Sequence, residues 1–267
     1  MHPRITTHSN AFPKTDRLAS DLARLQRLGI DRHSLHRAKL EAEGHEVAAD
    51  LVRGSGVTIT HIVHSNMFSL AEPDAWPAEG KALMDSIDTA AALGVPIIYG
   101  TTGPAGGLTW EEAIGNLSRA LIVPRAHARE RGVHLLFETT NPQYADIDCF
   151  HSLRDTLLGV EAVGAGLCLD IHASWTEAGL DRTIARSAPL IGLVQVSDYA
   201  PGSRTLDRAV PGEGVIPLER IIGWILATGY GGLFDIELVD AEGTTDRDDA
   251  LSRAVANLTA ILERVGA

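Results

Sequence analysis

Four short apolar runs in the second half of the chain close on an oxygen-bearing side chain: HLLFE at Glu138, GLCLD at Asp170, IGLVQ at Gln195 and GLFDIE at Glu237. A short apolar run bounded by polar or glycine-rich sequence reads as a buried strand, and its closing polar residue sits where the strand leaves the core. The runs recur at intervals that fit successive strand-helix units, so the four side chains could converge on one face of a sheet. Carboxylates aimed at one point in a low-dielectric setting repel one another, and they require either protonation or a cation. With the amide oxygen of Gln195 the set is all oxygen, which suits Mg2+ or Mn2+; Co2+ remains an option, and Zn2+ fits less well unless a histidine joins the shell. Each residue taken alone has a structural alternative. Asp170 before IHASW could cap a helix, and Gln195 could bond to nearby backbone while Asp198 does its work.

The elements that must position these residues alternate along the whole chain. Strand-like segments are 4–9, 31–36, 57–64, 96–100, 133–138, 165–170, 191–198 and 232–238. Between them, apolar residues recur at helical spacing in Leu18, Leu22, Leu25 and Leu28, in Leu83, Ile87, Ala90 and Leu93, in Ala113, Leu117, Leu121 and Val123, and in Leu218, Ile221, Ile222 and Ile225. Gly29, Gly94, Gly132 and Gly229 follow these stretches, where a left-handed helix cap is expected. Strands and helices in this alternation predict the α/β class and a single (β/α)8 TIM barrel over residues 1–267. A doubly wound open sheet would want a glycine-rich turn after an early strand, and HSNAFP supplies none.

Active sites in such barrels lie at the C-terminal ends of the strands. His8 with Asn10, His61 with His64 and Asn66, and Tyr99 with Thr101 and Thr102 crowd strand ends in the same way, and the long loops 101–109 and 199–214 leave strand ends too. We expect His64 and Asn66 to bind substrate. Trp110 and Trp175 are expected to pack helix against barrel.

A net charge of -12 disfavours nucleic acid or an anionic membrane as partner. The N-terminus carries no apolar signal core and no run is long enough to span a membrane, so a cytoplasmic protein is expected. Cys149 and Cys168 are too few for a disulfide framework and read as packed thiols. No strongly basic cluster appears, which favours an unphosphorylated small-molecule substrate.

The chain resembles the xylose-isomerase-like barrel superfamily of sugar isomerases, epimerases and dehydratases, which also holds the endonuclease IV type of repair enzyme. The resemblance runs from the first strand to Glu237 and is most specific between 133 and 238. It implies a metal held by Glu138, Asp170, Gln195 and Glu237, with Glu138 and Glu237 as an acid/base pair on opposite sides of a bound sugar. The segment RAVPGEG (208–214) is similar to the family's Arg-x-x-Pro-Gly-Glu-Gly loop, which makes Arg208 a substrate-binding residue. Gln195 stands where the family usually has His, a change associated with its dehydroshikimate-dehydratase-like branch. His172 follows Asp170 by two residues rather than the usual three; if the strand persists, it faces the same side as Asp170 and reaches substrate.

The expected function is therefore a metal-dependent isomerase or epimerase of a small sugar or polyol ketone through an enediolate. The runner-up is a lyase dehydrating a cyclic hydroxy-ketone such as dehydroshikimate or an inosose. A repair endonuclease is disfavoured by the missing histidines and the acidic charge, and a non-catalytic barrel subunit stands behind both. By analogy with the fold, a homo-oligomer is compatible with this reading.

Overall fold

The computed structural model describes residues 1–202, 207–239 and 246–267. Eight parallel strands close into a barrel in sequence order, β1 (Ile5–Thr7), β2 (Arg32–His36), β3 (Thr58–Val63), β4 (Ile97–Gly100), β5 (His134–Glu138), β6 (Gly166–Asp170), β7 (Ile191–Val196) and β8 (Phe234–Ile236). All eight fall inside the segments expected from sequence. The barrel closes by β1 pairing with β8, Ile5 opposite Phe234 and Thr7 opposite Ile236.

Around the barrel lie α1 (Leu18–Arg27), α2 (Arg37–Glu43), α3 (His45–Ser55), α4 (Trp76–Leu93), α5 (Trp110–Ala120), α6 (Ile122–Arg131), α7 (Leu153–Val163), α8 (Ile171–Ser174), α9 (Leu180–Ser187), α10 (Leu218–Ala227) and α11 (Arg247–Val265). No helix among the described residues is long and apolar enough to cross a membrane. Gly94 and Gly132 end α4 and α6 with φ of 68° and 69°, a left-handed cap that costs glycine no Cβ clash. The periodicity that joined Ala113 to Val123 in one helix is corrected here. The chain breaks at Leu121, and Ile122 and Val123 are exposed. Pro124 explains the break, because it has no N–H to donate into a continuing helix and suits the first turn of a new one.

Side chains alternate across each strand, and this alternation aims the chemistry. Phe137, Leu169, Val194 and Ile236 face outward and join the large core beneath the helices. Leu136, Cys168 and Leu193 face inward with Val63 and Tyr99, filling the barrel. Two residues further along each inward row come Glu138, Asp170 and Gln195, so packing the inner row directs all three into the barrel mouth. Fully burying one such Leu or Phe side chain contributes about 1.5–3 kcal/mol, so the register that orients the polar residues is held by the apolar ones. At β8 the inward row turns polar after Leu233: Asp235, fully buried, precedes Glu237 and lies 3.2 Å from His61 Nε2.

Candidate metal centre and active site

Glu138, Asp170 and Glu237 each offer an oxygen to one point, and these atoms all lie within 4.8 Å of one another. Hard divalent cations bind oxygen at about 2.0–2.6 Å, so one ion could touch all three. Burial raises the carboxyl pKa of each above its ordinary value, and their mutual repulsion adds to it: Glu237 and Asp170 on Glu138, and Glu237 on Asp170.

Arg208 enters this cluster from the loop after β7. Its Nη2 stands 2.9 Å from Asp170 Oδ2 and its Nη1 2.7 Å from Glu237 Oε2, with the side chain only 4% exposed. One guanidinium against three carboxylates leaves two negative charges, which a divalent ion would balance. Asp170 Oδ2 is buried and, among the described residues, meets only the Arg208 guanidinium, which leaves lone-pair capacity open. Asp170 also does what its sequence context allowed, because Oδ1 accepts the His172 backbone N–H at 2.9 Å and caps α8. An all-oxygen, net-negative, underbonded cluster fits a divalent metal.

The two glutamates differ in their bonding. Glu237 Oε1 accepts from Asn10 Nδ2 at 2.9 Å, and Oε2 accepts from Gln195 Nε2 at 2.8 Å and from Arg208. Glu138 has no hydrogen bond within the described residues and lines a cavity of about 380 Å3 together with His8, Tyr99, Arg208 and Glu237. A larger hollow, about 780 Å3, opens at the opposite, N-terminal end of the barrel, and no carboxylate lines it.

Gln195 does not present the oxygen expected of a ligand. A carboxylate can only accept, so the amide atom facing Glu237 is the nitrogen, which also donates to the Tyr99 hydroxyl at 3.0 Å. The amide oxygen instead accepts from the Cys168 thiol at 3.4 Å, deeper in the barrel. Asp198, the alternative to Gln195, is occupied with the loop that carries Arg208. It accepts from the backbone N–H of Tyr199 at 2.8 Å and of Gly212 and Ile216 at 2.9 Å. A Cβ at Gly214 would run into that carboxylate, which accounts for the last glycine of the RAVPGEG segment.

Three expected substrate contacts are not brought to the cavity. His64 follows the inward Val63, so alternation turns it outward, where it bonds Ser86 Oγ at 3.1 Å and receives Arg37 at 3.0 Å. Burial lowers its pKa to about 3, which leaves a neutral imidazole fixed between helices. Asn66 is exposed at φ 54° and donates its backbone N–H to Thr101 Oγ1 at 2.8 Å; it is a turn residue, and Asn tolerates this region better than most. His172 fails the strand-persistence condition, since β6 stops at Asp170 and α8 begins. Its ring instead neighbours that of Tyr199, with centroids 6.3 Å apart.

The structure adds residues that sequence reasoning left without a role. His8 bonds the Tyr99 hydroxyl through Nε2, while its Nδ1 accepts the Asn10 N–H at 2.9 Å. Burial lowers the His8 pKa to about 3, so a neutral ring carries its proton toward Tyr99. Their signal was visible, since HSN and YG close β1 and β4. Lys14, Tyr144 and Arg247 also line the cavity; they lie outside the strands and carried no periodic signal.

A family model, the xylose isomerase-like TIM barrel, matches residues 22–261. No curated protein matches the sequence. Among solved structures, a protein from Sinorhizobium meliloti 1021 superposes with a TM-score of 0.86 at 23% identity, covering 97% of this chain and 98% of that one. A D-psicose 3-epimerase from Clostridium cellulolyticum H10, solved with D-tagatose, gives 0.79 at 15% identity over 97% and 99%. An IolI protein with a bound zinc atom gives 0.79 at 16% identity over 98% and 99%. At these identities the superpositions speak for the fold. The closed eight-stranded barrel and the matching model together make this chain a member of the xylose isomerase-like TIM barrel family.

Proposed function

We propose that the protein is a divalent-metal-dependent isomerase or epimerase of a small sugar or polyol ketone, working through an enediolate. The observation that carries this reading is the convergence of Glu138, Asp170 and Glu237 within 4.8 Å, all buried, at the mouth of the barrel. Sugar epimerases of the same fold, the D-psicose enzyme among them, support it. Mn2+ or Mg2+ suits the oxygen donors best, with Co2+ an option, and the zinc of the IolI protein supports a metal in this fold.

A divalent ion in this shell would polarise a bound carbonyl and make the neighbouring C–H acidic. The chain's own residues divide the remaining work. Glu237, held by Asn10, Gln195 and Arg208, is fixed in position, and these donors offset part of the pKa rise that burial causes. It can take a proton from a carbon placed above it. Glu138 faces the cavity with no competing donor among the described residues, and burial beside two carboxylates raises its pKa well above the ordinary glutamate value. It can deliver or collect the second proton. Arg208 can hold a substrate oxygen while balancing the triad, and the Tyr99 hydroxyl, fixed between His8 and Gln195, can orient a sugar hydroxyl.

Proton return to a different carbon gives isomerisation, and return to the opposite face gives epimerisation. Loss of a β-hydroxyl from the same intermediate gives dehydration, and Gln195 in place of the family's usual His favours keeping that lyase reading second. Incubating Mn2+-loaded protein with ketoses and with dehydroshikimate or an inosose in D2O separates these outcomes. The isomerase reading expects deuterium at the exchanging carbon and a new sugar without ultraviolet change. A conjugated enone absorbing in the ultraviolet would replace it with the lyase, and no exchange on any substrate would remove both.

A further inference from the structure

The cavity above the triad carries a cation that the triad does not use. Among the charged residues lining it, Glu138 and Glu237 belong to the proposed metal shell, and Arg208 is paired with Asp170 and Glu237. Lys14 also lines this cavity, from the loop between β1 and α1, exposed and without an ion-pair partner among the described residues. Its cationic neighbours are taken: Lys39 holds Asp21 at 2.8 Å and the Pro13 carbonyl at 2.7 Å, and Arg37 holds Glu41 at 3.2 Å. Arg247 adds positive charge to the same lining while donating to the Asn10 and Ala11 carbonyls at 3.4 Å. Once a divalent ion and Arg208 neutralise the carboxylates, Lys14 and Arg247 leave the described lining with positive charge. A cavity of about 380 Å3 lies at the small end of the ligand-pocket range and suits a ligand the size of one monosaccharide.

We propose that Lys14 binds an anionic group at the end of the substrate remote from the reacting carbons, so that this site takes hydroxy-carbonyl sugar acids in preference to neutral sugars. The proposal rests on reading the triad as the metal-dependent isomerase site. A carboxylate is the group we assign, because a single lysine matches a monoanion and the described lining shows no second unpaired cation beside it. A terminal phosphate would use the same ammonium, and the experiment tells the two apart.

The test measures binding, so it does not depend on turnover. Calorimetric titrations of Mn2+-loaded wild type and Lys14→Met with gluconate, sorbitol and sorbitol 6-phosphate compare the same carbon skeleton with and without an anion. Wild type is expected to bind gluconate about five- to tenfold more tightly than sorbitol, the scale of one charge-assisted contact that stays partly solvated. Lys14→Met should erase most of that difference and leave sorbitol unchanged; Lys14 is exposed, so the fold should tolerate the change. A Lys14-dependent preference for the phosphate over gluconate would uphold the anion subsite and assign it to phosphate. Equal binding of gluconate and sorbitol by wild type would overturn the proposal. So would a gluconate preference that survives in Lys14→Met, since the carboxylate would then sit on the metal. Turnover of neutral ketoses by a wild type that binds gluconate and sorbitol equally would uphold the isomerase reading and remove only this one.

Discussion

Replacing Glu138 with Gln is expected to lower kcat by about a thousandfold, the scale of a lost acid/base group, while making the metal-free protein more stable. Both effects come from the same surroundings. Glu138 is buried beside Glu237 and Asp170 and receives no hydrogen bond within the described residues, so its ionised form is disfavoured and its pKa is raised. A carboxyl whose pKa is raised by folding contributes stability that is fully present below its unfolded value, near 4.5, and is lost as pH rises through the folded one. Gln cannot ionise, so the stability gain of Glu138→Gln, on the order of 1 kcal/mol for relief of one unsatisfied buried group, should be largest at mildly alkaline pH and fade toward pH 4.5. Thermal unfolding of EDTA-treated protein across that range reads it directly. A variant that loses activity but is destabilised at every pH would mean that Glu138 supports the fold rather than straining it.

The second large effect is expected from Arg208→Gln. This guanidinium is the single positive charge touching the triad among the described residues, and removing one partner of a buried ion pair costs about 3–5 kcal/mol. Partial protonation of the carboxylates released from it should bring the loss to the lower end, about 3 kcal/mol at pH 8, and diminish it as pH falls. Metal binding should move the other way. With the competing cation gone, the triad's affinity for Mn2+ is expected to rise about tenfold, and the Tm increase on adding Mn2+ should exceed that of wild type. Turnover should still fall, because Arg208 lines the cavity where substrate would sit. Weaker Mn2+ binding in the variant would show instead that Arg208 shapes the shell rather than repelling the ion.

The barrel was legible because two periodicities coincide. Apolar runs such as HLLFE and GLCLD fix strands, and the alternation that buries Leu136 and Cys168 inside the barrel aims Glu138 and Asp170 with them. The triad therefore followed from local sequence. His64 lies outside the cavity lining, and the same alternation, counted from Val63, turns it outward. His172 depended on where β6 ends, and that boundary is set by Asp170 capping α8, a choice between strand and helix that alternation alone does not make. The orientation of the Gln195 amide depends on Tyr99, Glu237 and Cys168, which lie on three other strands. Lys14 and Arg247 stand on loop and helix-start positions whose approach to the cavity only the closed barrel defines.

The central claim is that Glu138, Asp170 and Glu237 hold a divalent ion. Calorimetric titration of EDTA-treated protein with Mn2+, run beside Asp170→Asn, tests it most directly, because Asn keeps the α8 cap while removing the charge. The account predicts one saturable site per chain in wild type, with a gain of about 2.7 kcal/mol in stability at a hundredfold excess of free ion over Kd, and loss of both in the variant. No saturable Mn2+ binding by wild type, or equal binding by Asp170→Asn, would contradict it.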